Sequence, residues 1–250
     1  MIRRKKHRLC PEWVQIKMLF LQNRTFFENM HYDKIKKMGI FEIQKGRRNL
    51  NMKIYHAQVN HLENPVGFRM ERTVFSWKIK EAKGKQQSYA RIRVSSDEAM
   101  EHLLFDSGED TKASSLCYPV KLELEPRTRY YWTVEAGSDA GEKAVSEVQF
   151  FETGKREEAW SAKWVSCSSE EKRHPYFEKK IIPVKEVAKA RLYICGLGLY
   201  EVFVDEKRVG NEYLTPYSND YNEWVQYQTY DVTEEFSSEG TLRVLLGNGW

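Results

Sequence analysis

Hydrophobic and polar positions alternate along much of the chain. In "LEPRTRYYWTV" (residues 124–134), Leu124, Pro126, Thr128, Tyr130, Trp132 and Val134 recur at period two, which puts them on one face of a strand. Similar runs of β-branched and aromatic residues cover 73–79, 88–95, 103–109, 118–124, 129–136 and 145–153. Turn-forming residues separate them at Lys83-Gly84, Ser107-Gly108 and Asp139-Ala140-Gly141. This density of short strands predicts a β-sandwich over residues 52–155. A Tyr just after an L-x-P turn predicts a tyrosine corner, with the Tyr130 hydroxyl bonded back to the preceding loop. Trp77 is expected to fill the inner face of the opposite sheet. The aromatic residues of this module read as core, because period-two rings within strands pack sandwiches.

A second set of strand signals covers 174–183, 190–195, 200–204 and 241–246. Gly196 and Gly198 join two of these and suit a bend or a close backbone approach. Asp205-Glu206-Lys207 forms a tight polar turn. Asp231 stands where it can cap a short helix whose first turn is acidic. Gly247 and Gly249 suit a turn that buries Trp250.

Residues 1–51 behave differently. They hold 13 Lys+Arg against 4 Asp+Glu, a charge of +9, while the remaining residues sum to −5. The overall +4 therefore comes from the leader, and it gives the rest of the chain no basis for binding nucleic acid. The run "RRKKHR" is a nonspecific basic motif. The segment begins like a signal peptide, but Pro11, Glu12 and Lys17 interrupt its apolar part and no small-x-small site follows. Trp13, Ile16, Phe20, Phe27 and Met30 keep a rough helical period, so a basic amphipathic helix is one reading of the leader. The other is that translation starts at Met52. Lys45-Gly46-Arg47-Arg48 can be encoded AAA-GGA-AGG-AGA, a purine-rich ribosome-binding sequence, and Met52 follows after three codons. The second reading is preferred, with residues 1–51 as upstream or disordered sequence.

No run approaches the roughly 18 apolar residues of a membrane helix, so no membrane partner is expected, and with no convincing signal peptide a cytoplasmic location is expected. The four cysteines are scattered, with no CxxC pair or histidine cluster. That argues against a zinc site and a disulfide scaffold. No cofactor and no metal are predicted, and nothing points to a calcium ion. Acidic residues are abundant, but no spacing singles out a catalytic pair. The best candidate for ligand contact is the loop "PYSNDYNEW", with Tyr217, Asn219, Asp220, Tyr221 and Trp224. Its rings could stack on sugar faces, and its amide and carboxylate could grip hydroxyls. The competing reading is that Tyr221 and Trp224 anchor the loop on the sandwich.

The ordered pieces "GLYEVFV", "RVG", "LTP", "DY", "YQTYDVT" and "LGNGW" resemble the N-terminal domain of bacterial α-L-rhamnosidases. "FDSGE", "LEPRTRYYWTV" and "FFETG" resemble the fibronectin-like segment that precedes it, and "WSAKWV" resembles the link. Two departures are Asp205-Glu206 in place of Asn-Gly at a hairpin, and Thr241 directly after Gly240. The resemblance implies an all-β chain. A fibronectin type III-like sandwich (52–155) precedes a galactose-binding-like jelly roll (156–250) that continues past Trp250, so this piece is expected to be poorly soluble. It also implies that the catalytic glutamates lie in a later α/α barrel that inverts on hydrolysis. No catalytic residue is then expected here, and the partners are a rhamnose-containing glycoside and that barrel in cis. Alternatives are the front of another sandwich-led glycosidase of β-galactosidase type, or a free-standing carbohydrate-binding module.

Overall fold

Tyr130, Trp132, Val134 and Leu124 are buried together in a computed structural model of the chain. The structure describes residues 51–167 and 174–247, together with the main chain of residues 15–22. Among these, Gln15–Gln22 form β1. The first unit then contains β2 (Lys53–Val59), β3 (Val66–Phe68), β4 (Thr73–Lys80), β5 (Gln87–Ser95), β6 (Leu103–Asp106), β7 (Tyr118–Val120), β8 (Arg129–Ser138), β9 (Lys143–Val145) and β10 (Gln149–Thr153). The second contains β11 (Trp164–Val165), β12 (Tyr176–Ile181), β13 (Ala190–Leu197), β14 (Tyr200–Val204), β15 (Lys207–Arg208), β16 (Tyr227–Asp231) and β17 (Gly240–Leu246). The residues divide into these two units after Arg156, and β1 belongs with the second.

The first unit is a sandwich. One sheet has the order β3-β10-β8-β5-β6, with β9 also on β8, and the other has β2-β4-β7. The predicted faces hold. Phe75 and Trp77 from β4 face Tyr130, Trp132 and Val134 from β8 across a core that also takes Ile92, Val94 and Phe151. Phe75 and Trp132 have ring centroids 4.6 Å apart, and Tyr130 stacks on Phe151 at 5.3 Å. The tyrosine corner is present, because the Glu125 N–H donates to the Tyr130 hydroxyl at 2.7 Å. Thr153 ties the same turn, accepting from Thr128 N–H at 2.9 Å and donating to Glu125 C=O at 2.6 Å. The predicted strand over 145–153 is two strands lying along β8, broken at 146–148. There Ser146 Oγ accepts the Val134 N–H at 3.1 Å.

The second unit is also a sandwich, with sheets β11-β1-β13-β16 and β12-β17-β14-β15. Leu192, Ile194, Val202, Val204, Val232, Phe236, Leu242 and Val244 fill its core. Gly196 lies against a ring, and a Cβ there would meet Tyr200 Cδ1 at 2.6 Å. The Asp205-Glu206 hairpin forms without Asn-Gly. Asp205 takes a φ of 52°, and its Oδ1 accepts the Thr241 N–H at 2.8 Å. The short helix expected after Asp231 is a correction. Asp231 Oδ1 does cap the segment through Thr233 N–H at 3.2 Å, but the chain makes one turn, closed by Phe236 N–H to Val232 C=O at 3.1 Å. Phe236 must drop into the core and Gly240 must already enter β17, which leaves no length for a helix.

The helical reading of the leader is likewise corrected over residues 15–22, which are extended and pair with β13. Trp13, Phe27, Met30 and the basic run lie outside the described residues, as do Gly249 and Trp250.

Candidate functional site

Residues 209–226 connect β15 to β16. Arg208 organises the start of this loop. Its guanidinium donates to Gly210 C=O at 3.1 Å and to Glu212 C=O, and it lies 4.4 Å from the Tyr213 ring centroid. Cation–π stacking of this kind fixes a ring while leaving its far face open. Gly210 is required at φ 78°, where a Cβ would also meet Tyr230 Cε1 at 2.5 Å. Thr215-Pro216 is a cis peptide, and Thr215 C=O accepts the Tyr200 N–H at 2.9 Å.

Beyond it, Asp220 builds a turn. Its Oδ1 accepts both the main-chain N–H and the side-chain amide of Asn222 at 2.9 Å, and its C=O accepts Glu223 N–H at 2.9 Å and Trp224 N–H at 3.1 Å. These Asn222 donors hold the Asp220 carboxyl below the usual range, because they favour its charged form. The Tyr221 hydroxyl accepts the Gly198 N–H at 3.1 Å, which pins the loop to the β13–β14 bend. Asn219 donates to Tyr217 C=O at 2.9 Å, and its buried Oδ1 has no hydrogen-bond partner among the described residues.

The five residues singled out from sequence therefore divide. Asn219, Asp220 and Tyr221 shape the loop, whereas Tyr217 and Trp224 project into solvent, 64% and 58% exposed. The anchoring reading holds for Tyr221 and fails for Trp224. Tyr213 and Leu214, not singled out, are exposed on the same loop. Their signal was only a pair of apolar side chains just before a Thr-Pro step, which strand periodicity does not pick up. Three exposed rings, Tyr213, Tyr217 and Trp224, and a preordered turn can present stacking surfaces to a sugar.

The acids offer less. A shallow depression beside the β14–β15 hairpin is lined by Asp205, Glu206, Lys207, Glu234 and Glu235. Asp205 is tied to β17, and Glu235 pairs with Lys207 at 3.2 Å. Among the described residues, no group of three His, Cys, Asp or Glu is placed to hold a metal ion, and no helix is long and apolar enough to cross a membrane.

Two family models match the chain in order. The N-terminal immunoglobulin domain of Rha78A-like proteins matches residues 54–157, and the α-L-rhamnosidase N-terminal domain matches residues 185–250. The chain carries the N-terminal domains of an α-L-rhamnosidase. A curated α-L-rhamnosidase of Formosa agariphila is 33% identical over 226 residues, covering 77% of this chain and 24% of that protein. The solved α-L-rhamnosidase from Dictyoglumus thermophilum superposes with a TM-score of 0.67 at 26% identity, over 81% of this chain and 26% of that one. The α-L-rhamnosidase from Aspergillus terreus shares the fold, with a TM-score of 0.64 at 22% identity, over 80% of this chain and 24% of its own. The chain thus spans about a quarter of the length of these α-L-rhamnosidases. Its first sandwich is of immunoglobulin type, an architecture that fibronectin type III domains share.

Proposed function

We propose that this chain is the non-catalytic front of a glycoside hydrolase that releases terminal L-rhamnose from glycosides or polysaccharides. The observation that carries the reading is the ordered match of two rhamnosidase N-terminal domain models along one chain. Hydrolysis is assigned to a partner domain in cis, an α/α barrel acting with inversion, which requires two carboxylates separated by room for a water. Support for placing the chemistry elsewhere comes from Asp205 and Asp220, whose carboxylates are committed to turns, and from Glu235, which is paired with Lys207. The loop's role is recognition, with Tyr217 and Trp224 as stacking surfaces for the sugar or its aglycone.

The test is to express the whole reading frame beside residues 1–250 and assay both on an aryl α-L-rhamnoside, following the anomer formed by NMR. The longer product is expected to release rhamnose with inverted configuration, and residues 1–250 to release none. Hydrolysis by residues 1–250 alone, or retention of configuration, would overturn the assignment. In the whole enzyme, Trp224→Ala is expected to raise KM on a natural glycoside with kcat unchanged.

A further inference from the structure

The most unusual feature of the second sandwich is the origin of one of its strands. β13 is buried along nearly its whole length. Ala190, Leu192 and Ile194 point into the core, and Arg191, Tyr193 and Cys195 are buried on the opposite side. Such a strand needs a hydrogen-bonded neighbour at both edges, because its N–H and C=O groups have no water to turn to. β16, which is near in sequence, supplies one edge from Arg191↔Asp231 to Cys195↔Tyr227. β1 supplies the other, and all eight of its residues are in register, from Gln15↔Leu197 to Gln22↔Ala190. Among the described residues, its far edge meets only Trp164 and Val165 of β11. The main chain of β1 is therefore held almost entirely by the β13 edge.

Donor and acceptor are far apart along the chain. Residues 26–156, most of them in the first sandwich, lie between them. The 28 residues from 23 to 50 join β1 to that sandwich, and at about 3.4 Å per residue they could reach roughly 95 Å. A strand held by main-chain pairing across one edge, on so long a connection, has the properties of an exchangeable element.

We propose that the β13 edge is a strand-acceptor site, that residues 15–22 are its donor, and that a second copy of this chain can supply the donor. Within one chain donor and acceptor are covalently joined, so the intramolecular pairing dominates in dilute solution. In concentrated solution the strands cross over and link two copies. A chain begun at Met52 lacks the donor and leaves the acceptor open.

The register supplies the test, because Lys17 stands directly opposite the native Cys195. Directly opposed residues of antiparallel strands have Cα atoms about 4.5–5.5 Å apart, within the range a disulfide bridges. With Cys10, Cys117 and Cys167 replaced by serine, Lys17→Cys in a chain keeping Cys195 is expected to form an intrachain disulfide between positions 17 and 195 on mild oxidation. The exchange is read by mixing two chains. One carries Lys17→Cys with Cys195→Ser, and the other keeps Lys17 and Cys195. An interchain 17–195 disulfide, mapped by mass spectrometry and rising with protein concentration, is the expected result. A donor with Leu19→Cys, whose position faces Tyr193, should give none. Absence of the intrachain bond would overturn the pairing. An intrachain bond without any interchain product would overturn the exchange.

Discussion

Tyr130→Phe isolates the tyrosine corner. The substitution keeps the ring stacked on Phe151 at 5.3 Å and removes only the hydroxyl that accepts the Glu125 N–H at 2.7 Å. A net hydrogen bond of this kind contributes about 0.5–1.5 kcal/mol, and a fully buried orphaned donor would add about 1–3. Glu125 is itself exposed, so water can reach part of the donor and the larger penalty does not apply in full. Thr153 also continues to hold the turn through Thr128 N–H and Glu125 C=O. The expected loss is therefore about 1 kcal/mol, or about a fivefold rise in the opening equilibrium. Tyr130→Ala removes the ring as well and should cost about 3–5 kcal/mol.

Because the chain holds two units, a single unfolding curve would mix them. Hydrogen exchange of peptides covering residues 130–138 and 149–153 reads the first sandwich alone. Tyr130→Phe should speed their exchange about fivefold. Peptides from residues 190–197 and 240–246 should not change. Two results would refute the reasoning. An unchanged exchange rate would mean the bond contributes nothing. A loss as large as that of Tyr130→Ala would mean the hydroxyl holds the packing rather than the turn. Thr153→Val acts on the same turn, so its effect combined with Tyr130→Phe should depart from additivity by about 0.5 kcal/mol or more.

Three further outcomes are expected. Gly196→Ala puts a methyl 2.6 Å from Tyr200 Cδ1 and should cost the second sandwich about 1–3 kcal/mol, seen as faster exchange of residues 190–197. Asp106 is held down to about 2 from 3.8 by its bonds to Arg91, so its stabilising contribution is complete at neutral pH and is lost as pH falls from about 5 through about 2; Arg91→Ala should flatten that part of the first sandwich's acid titration. Trp224→Ala should change thermal stability by less than about 0.5 kcal/mol, because the ring is 58% exposed, and a larger loss would show that it anchors the loop after all.

The first sandwich was the more legible of the two because its strands carry their burial in their alternation. Tyr130, Trp132 and Val134 occupy one face of β8 and are all buried, so period two located both the strand and its inner side. β2 was missed for a local reason. Its register shifts between Tyr55 and Gln58, and His56 takes a φ of 47°, a bulge that breaks the alternation on which the reading depends. In the candidate loop, residue types pointed to the segment but not to the roles within it. Tyr221 and Trp224 are both large and aromatic, yet one reaches the Gly198 N–H and the other faces solvent. That difference is set by the β13–β14 bend, which lies some twenty residues away and leaves no local mark on the loop.

β1 shows the limit of local reading most clearly. Residues 15–22 lie within a rough helical period, and isolated propensity has no reason to prefer a strand there. What decides the conformation is the neighbour. β13 offers a long buried edge with main-chain donors and acceptors to be met, and eight extended residues meet them one for one. Side-chain pattern governs a strand when one of its faces seeks a core, but main-chain demand governs it when an edge seeks a partner. The second kind of demand comes from residues 190–197 and cannot be seen from residues 15–22. It is also indifferent to the identity of the donor's side chains, so the same edge that orders this strand would accept the same strand from another copy.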